Sequence, residues 1–229
     1  MSENRQNKPN ILKLGLFLAL LGAISAGLLA FVDSLTKGPI KVAELKKTTK
    51  AIQDVLPPFD NVPADDKIVI KAENGTSVTF YRAKKEGKII GVAGEGYSTT
   101  GFNGKVVVMV GMEPTGKISI VTVTKQHETP GLGTVVTDRK SEKTIFDLFG
   151  KKKEESGLPP NRILDAFSGH TVKLESPVWK VKKDGGDFEF VTGATITSRA
   201  VTGAVYTVNK TFIENKNQIL EIKGQKKSE

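Results

Sequence analysis

Residues 106–125 read VVVMVGMEPTGKISIVTVTK. β-Branched side chains dominate both halves, and Pro114-Thr115-Gly116 parts them with residues suited to a tight turn. The pattern predicts two strands, 106–113 and 117–125, joined as a hairpin. Working toward the N-terminus, strand-like runs recur at 67–71, 77–85 and 88–94, with Glu86-Gly87 as a second hairpin turn. Hairpin-linked strands imply an antiparallel sheet with helices packed around it. Toward the C-terminus, 137–149 predicts a helix with Ile145, Leu148 and Phe149 as its apolar stripe. Residues 150–160, charged and bearing Gly and Pro, are expected to be a loop. A last helix starts near Ser198, with Val201, Val205, Val208 and Phe212 at helical spacing. The expected fold class is α+β: an N-terminal transmembrane helix, then a mixed, largely antiparallel sheet domain with packed helices.

The membrane element is read from residues 14–32, which hold no charged side chain. Nineteen residues at about 1.5 Å each give roughly 28 Å of helix, close to the hydrocarbon thickness of a bilayer. The run is longer than a signal-peptide core, and Leu28-Leu29-Ala30 lacks the small residue that a cleavage site needs at its first position. An uncleaved anchor is expected. Lysines flank both sides of the span, so charge alone assigns no orientation. Residues 43–55 predict a juxtamembrane helix that stops at Pro57-Pro58. The division is then an N-terminal stretch 1–13, an anchor 14–33, a juxtamembrane helix and linker 34–60, a folded domain 61–222 and a loose tail 223–229.

Composition narrows the chemistry. The chain has 229 residues, no cysteine and two histidines, His127 and His170. Disulfide frameworks, thiolate metal sites, iron–sulfur clusters and cysteine nucleophiles are excluded, and no metal site is expected. Thirty-four basic residues against 25 acidic ones give a net charge of +9, but the lysines fall in scattered short runs. Aromatic residues are 7% and do not interleave with them as a nucleic-acid stacking platform requires. The excess charge is read as solubility and contact with anionic lipid or acidic partners, not nucleic acid.

Two short segments look chemical. His127-Glu128-Thr129-Pro130-Gly131-Leu132-Gly133 follows a predicted strand, and its glycines would let a planar group approach the backbone. An ordinary strand-to-helix turn has the same pattern. Thr192-Gly193-Ala194-Thr195-Ile196-Thr197-Ser198 precedes the last helix, where hydroxyls and free N–H groups favour a phosphate or serve simply as a helix cap. Thr197 and Ser198 are read as that cap. It is no P-loop, because the Gly-Lys-Ser/Thr ending is absent.

Thr192-Gly193-Ala194-Thr195 resembles the covalent flavinylation motif of FMN-binding domains. With residues 179–201, the His-Glu-Thr-Pro-Gly-Leu-Gly segment, the anchor and Val55-Leu56-Pro57, the chain is similar to the G subunits of the Rnf ion-translocating ferredoxin:NAD oxidoreductase. The resemblance covers nearly the whole chain. Where that family carries Asp six residues before the acceptor threonine, this chain has Glu189, which keeps the charge.

The resemblance implies a single-pass protein of the cytoplasmic membrane with residues 61–222 as an FMN-binding domain outside the cytoplasm. A flavin transferase would join FMN through its phosphate to Thr195, with Thr192, Gly193, Ala194, Thr197 and Ser198 around it. Glu128, Thr129, Gly131 and Leu132 are the candidate isoalloxazine contacts, with Leu132 packing on the ring. The implied partners are the other subunits of the Rnf complex, the transferase and the lipid bilayer. The implied role is electron carriage without independent catalysis. The nearest alternative is a C subunit of the sodium-pumping NADH:quinone oxidoreductase, a family that shares the domain and motif. A cofactor-free anchored scaffold is the alternative of a different class.

Overall fold

The computed structural model describes residues 11–139 and 158–221. The chain divides into two compact units, one up to Lys46 and one from Lys47 onward.

The first unit consists of the opening turns of helix α1 (Ile11–Val55). Its leucines, isoleucines and phenylalanines through Leu45 are exposed, and the helix is long and apolar enough to cross a membrane. The sequence predicts an anchor and a separate helix over 43–55. The structure has one continuous helix through Gly38-Pro39. Proline removes a single N–H and need not end a helix when the turns on both sides keep their own bonds. In the turn before it, the Ser34 and Thr36 hydroxyls donate to the carbonyls of Phe31 and Val32, at 2.7 and 2.9 Å.

The second unit is built on a five-stranded sheet in sequence order: β1 (Lys67–Lys71), β2 (Ser77–Lys85), β3 (Lys88–Gly101), β4 (Gly104–Met112) and β5 (Ile118–Lys125). Every pairing among these five strands is antiparallel, so the α+β reading stands with a plain meander rather than a mixed sheet. Glu86 and Gly87 take φ of 51° and 76°, the left-handed pair that a two-residue hairpin requires. β3 runs seven residues past the expected end at Gly94. Gly94 and Gly96 there are not turn signals. A Cβ at either would lie 2.4 Å from a Val208 methyl, so the two glycines open the strand to a helix.

That helix is α4 (Thr195–Glu214), which lays Val201, Ala204, Val205, Val208 and Phe212 against Val78, Phe80, Val92, Val108 and Val110. The Phe80 and Phe212 rings meet at 6.0 Å. Part of the opposite sheet face is covered by the last turns of α1, where Ala51, Ile52, Val55 and Leu56 pack on Tyr81, Ala83, Ala93 and Met109. Gly111 permits this, since a Cβ there would meet the Val55 carbonyl oxygen at 2.1 Å.

Among the described residues, three short helices complete the unit: α2 (Gly133–Thr137), α3 (Arg162–Asp165) and α5 (Lys216–Leu220). Buried Arg82 donates to the carbonyls of Ile219 and Glu221, at 3.4 and 2.6 Å, and pairs with Asp66, tying α5 to the sheet. Of the helix expected over 137–149, Thr137 is instead the last residue of α2 and Asp138 is extended. Residues 140–149, with the predicted stripe Ile145, Leu148 and Phe149, lie outside the described residues, as does most of the loop 150–160.

Candidate functional site

Leaving β5 at Lys125, the chain makes a tight turn before α2. Gly131 takes φ 77°, a conformation that favours glycine, and its N–H donates to the Thr134 hydroxyl at 2.9 Å. The turn leaves Leu132 47% exposed, while Glu128 just before it is 4% exposed. Both Glu128 oxygens are engaged: Oε2 accepts from the Thr197 hydroxyl and Oε1 from the Asn103 N–H at 3.2 Å.

The second segment turns at Gly193, φ 87°, with the Ala194 N–H bonded to the Val191 carbonyl at 2.9 Å. α4 then begins at Thr195, three residues before the predicted start. Its N-cap is Ala194, and no side chain caps it. Thr197 and Ser198 are therefore not the cap. They occupy the first turn on its inward face, 1% and 0% exposed, where their hydroxyls cannot turn back to the free amides. Ser198 Oγ donates to the Ala194 carbonyl at 3.0 Å and accepts from the Val191 N–H at 3.3 Å, bracing the turn.

The two segments meet in one cleft of about 300 Å³. Glu128, Thr129 and Leu132 line it from the first segment, and Gly193, Ala194, Thr195 and Thr197 from the second. Gly131, Thr192 and Ser198 are not among the lining residues: Gly131 belongs to the turn, Thr192 is exposed and Ser198 is buried beneath it. Four further residues line the cleft: Gly133 and Ile196 lie within the two segments without having been candidate contacts, and sequence reasoning missed Phe102 and Lys183. Phe102 and Asn103 form the turn between β3 and β4, and glycines on both sides of that pair were the available signal.

Lys183 carries no local signal. It sits in a 3₁₀ turn (Lys182–Asp184) held to α4 by the Asp184–Arg199 pair, whose two hydrogen bonds measure 2.6 and 2.7 Å. The hydrogen bond from Arg199 holds the Asp184 carboxyl below the usual carboxylate range. Glu189 pairs with Lys182 in the same loop. That hydrogen bond likewise lowers the Glu189 carboxyl.

The chemistry of the cleft suits a flat molecule with an anionic end. The first N–H groups of an α-helix have no intrahelical partner and carry the positive end of its dipole. An uncapped start at Thr195 therefore favours a phosphate, and Lys183 adds a cation. Phe102, Leu132 and Ile196, 64%, 47% and 45% exposed, offer apolar surface beside it. These residues fit FMN: a phosphate at the helix start and an aromatic ring system against the apolar side chains.

Comparison with known proteins agrees. Residues 101–210 match a family model described as FMN-binding domain, and residues 1–55 match one described as RnfG N-terminal region. The G subunit of the ion-translocating oxidoreductase complex of Photorhabdus laumondii is 34% identical over 83% of this chain and 85% of its own length. The protein of the same name from Vibrio parahaemolyticus is 34% identical over 92% of this chain and 93% of its own. The G subunit of the Na(+)-translocating ferredoxin:NAD(+) oxidoreductase complex of Acetobacterium woodii is 32% identical over 85% and 88%. With an apolar N-terminal helix, an FMN-binding domain and relatives alike over most of their length, the chain belongs to the RnfG family, the G subunits of ion-translocating oxidoreductase complexes, as a membrane-anchored redox protein.

Proposed function

We propose that this chain carries FMN joined through its phosphate to Thr195 and passes electrons between redox subunits of an Rnf-type complex, on the outer side of the cytoplasmic membrane. The ferredoxin:NAD reaction and the ion pumping belong, in this reading, to the assembled complex. The observation that carries it is the state of four neighbouring hydroxyls. Thr197 and Ser198 are buried and hydrogen-bonded, and Thr192 is exposed but outside the cleft. Thr195 is half-buried, lines the cleft and sits at the uncapped first turn of α4. A transferase can reach that hydroxyl, and the remaining charge of the esterified phosphate lies at the positive end of the helix.

FMN, when bound, supplies reversible uptake and release of electrons. The protein residues bind and orient it. The α4 amides and Lys183 hold the phosphate end, Leu132 packs on the ring, and Thr129 and Gly131 belong to the turn that aims Leu132. Covalent attachment suits a carrier whose cleft is shallow.

The test is intact mass. Co-expressed with a flavin transferase, the chain gains the mass of one FMN less one water and fluoresces in a denaturing gel. Thr195→Ala loses both signals with an unchanged unfolding transition, whereas Thr197→Ala keeps the covalent flavin. Covalent flavin retained in Thr195→Ala overturns the assignment. The membrane side is checked separately: a phosphatase fused to the C-terminus is active and a cytoplasmic reporter there is silent, and the reverse pattern excludes it.

A further inference from the structure

Glu128 is 4% exposed, and what surrounds its carboxylate comes from three separate stretches of chain. Oε1 accepts from the N–H of Asn103 in the β3–β4 turn, next to Phe102. Oε2 accepts from the hydroxyl of Thr197 in the first turn of α4, 69 residues away in sequence. A second link reaches the β3–β4 turn from the same segment, from Asn103 Nδ2 to the Thr129 hydroxyl at 3.5 Å. Backbone packs so closely that side chains are excluded around it. A Cβ at Gly101 would lie 2.7 Å from Oε1, and one at Gly133 would lie 2.9 Å from Oε2 and 2.6 Å from the Glu128 Cβ.

We propose that Glu128 is a positioning residue: its carboxylate ties the β3–β4 turn to the first turn of α4 and so sets how far Phe102 stands from the helix start that holds the flavin phosphate. The inference rests on the FMN-binding reading of the cleft but not on covalent attachment. Each carboxylate oxygen accepts a hydrogen bond from the protein, one from each wall of the cleft, which is the arrangement of a brace between them. A hydroxyl and an amide could each be satisfied locally or by water. Held by one buried carboxylate, they fix the turn and the helix start to each other.

The arrangement is isosteric with a carboxamide. In Glu128→Gln, the side-chain oxygen can accept from Asn103 while the NH₂ donates to a reoriented Thr197 hydroxyl. The tether survives without its charge. Glu128→Ala removes it, and Thr197→Val removes one end while keeping volume.

The experiment uses the full chain in detergent micelles, first flavin-free and then loaded. In the flavin-free protein, hydrogen exchange reads the tether directly. Loss of a hydrogen bond to a charged group is expected to speed exchange at the Asn103 amide by about tenfold or more in Glu128→Ala, with little change in Glu128→Gln. In the loaded protein, flavin fluorescence anisotropy falls in Glu128→Ala and in Thr197→Val. It recovers in Glu128→Gln and Thr197→Ser, and Glu128→Ala/Thr197→Val falls no further than the larger single effect. An Asn103 amide that exchanges at the wild-type rate in folded Glu128→Ala overturns the proposal. So does a flavin mobilised by Glu128→Ala but untouched by Thr197→Val, which would make Glu128 a contact of the flavin itself. If Glu128→Ala does not fold, Thr197→Val against Thr197→Ser carries the same comparison. Intact mass recorded on each sample separates failure of the covalent assignment, which removes the adduct from every variant, from failure of the tether.

Discussion

Leu132 and Glu128 are four residues apart, yet they sit in opposite environments. Gly131 in the left-handed region swings Leu132 out to 47% exposure beside the cleft, while Glu128 is buried and bonded to Asn103 and Thr197. A half-exposed leucine contributes little to the core, so Leu132→Ala is expected to leave the unfolding midpoint nearly unchanged, within about 1 kcal/mol. If Leu132 packs on the ring as proposed, the substitution leaves FMN attached and shifts the flavin absorption or midpoint potential. A large loss of stability with unaltered flavin spectra reverses that assignment. The pair was half legible. Glycine and proline in the segment announce a turn, but they do not say which side chain enters the core.

At the scale of elements, the sheet and α5 are joined through Arg82 and Asp66. Burial raises the Asp66 carboxyl, and hydrogen bonds from Arg82 and Lys84 outweigh it, leaving the group below its ordinary 3.8. A carboxylate depressed in the folded state stabilises the fold above its unfolded value, and that contribution is lost as pH falls through the folded value. The wild-type domain is therefore expected to lose stability on acidification below about 3.8, with α5 loosening as Arg82 loses its partner. Asp66→Asn should lower stability at neutral pH and flatten the acid limb. Urea unfolding at several pH values measures both, and an acid limb of wild-type steepness in Asp66→Asn rejects the link. The same scale explains why β3 is longer than its pattern suggests. Gly94 and Gly96 weaken a strand taken alone, but they are where Val208 of α4 packs, and burial of the α4 stripe outweighs their poor propensity.

Over the whole molecule, α1 belongs to both units. Its residues through Lys46 stand in the first, and Ala51, Ile52 and Val55 are core residues of the second, the latter two 2% and 1% exposed. A chain beginning at Lys47 is expected to fold as a water-soluble domain with the unfolding midpoint of the intact protein's domain. One beginning at Pro58 should be markedly less stable, because burying Ile52 and Val55 is worth about 1.5–3 kcal/mol each and their removal uncovers Tyr81 and Met109. Thermal unfolding of the two fragments compares them, and equal midpoints would show that the helix end is dispensable.

What the sequence determined alone is what local chemistry encodes. An uncharged apolar run specifies an anchor, and the Glu86-Gly87 and Pro114-Thr115-Gly116 turns between runs rich in β-branched residues specify antiparallel hairpins. The spacing of Val201, Val205, Val208 and Phe212 specifies a helix with one buried face. The two candidate segments were also visible as short patterns, each consistent with an ordinary turn or cap. Only tertiary structure decided that they form one cleft, that α4 starts at Thr195, that Thr197 serves Glu128 rather than the helix end, and that Phe102 and Lys183 border the site. Those outcomes depend on contacts between segments tens of residues apart, brought together by α4 packing on the glycine-opened strand β3. Turn chemistry and periodicity act over a few neighbouring residues, so they record where the chain bends and which face is apolar. Which distant side chain satisfies a buried carboxylate is settled only when the sheet and helix have closed around it.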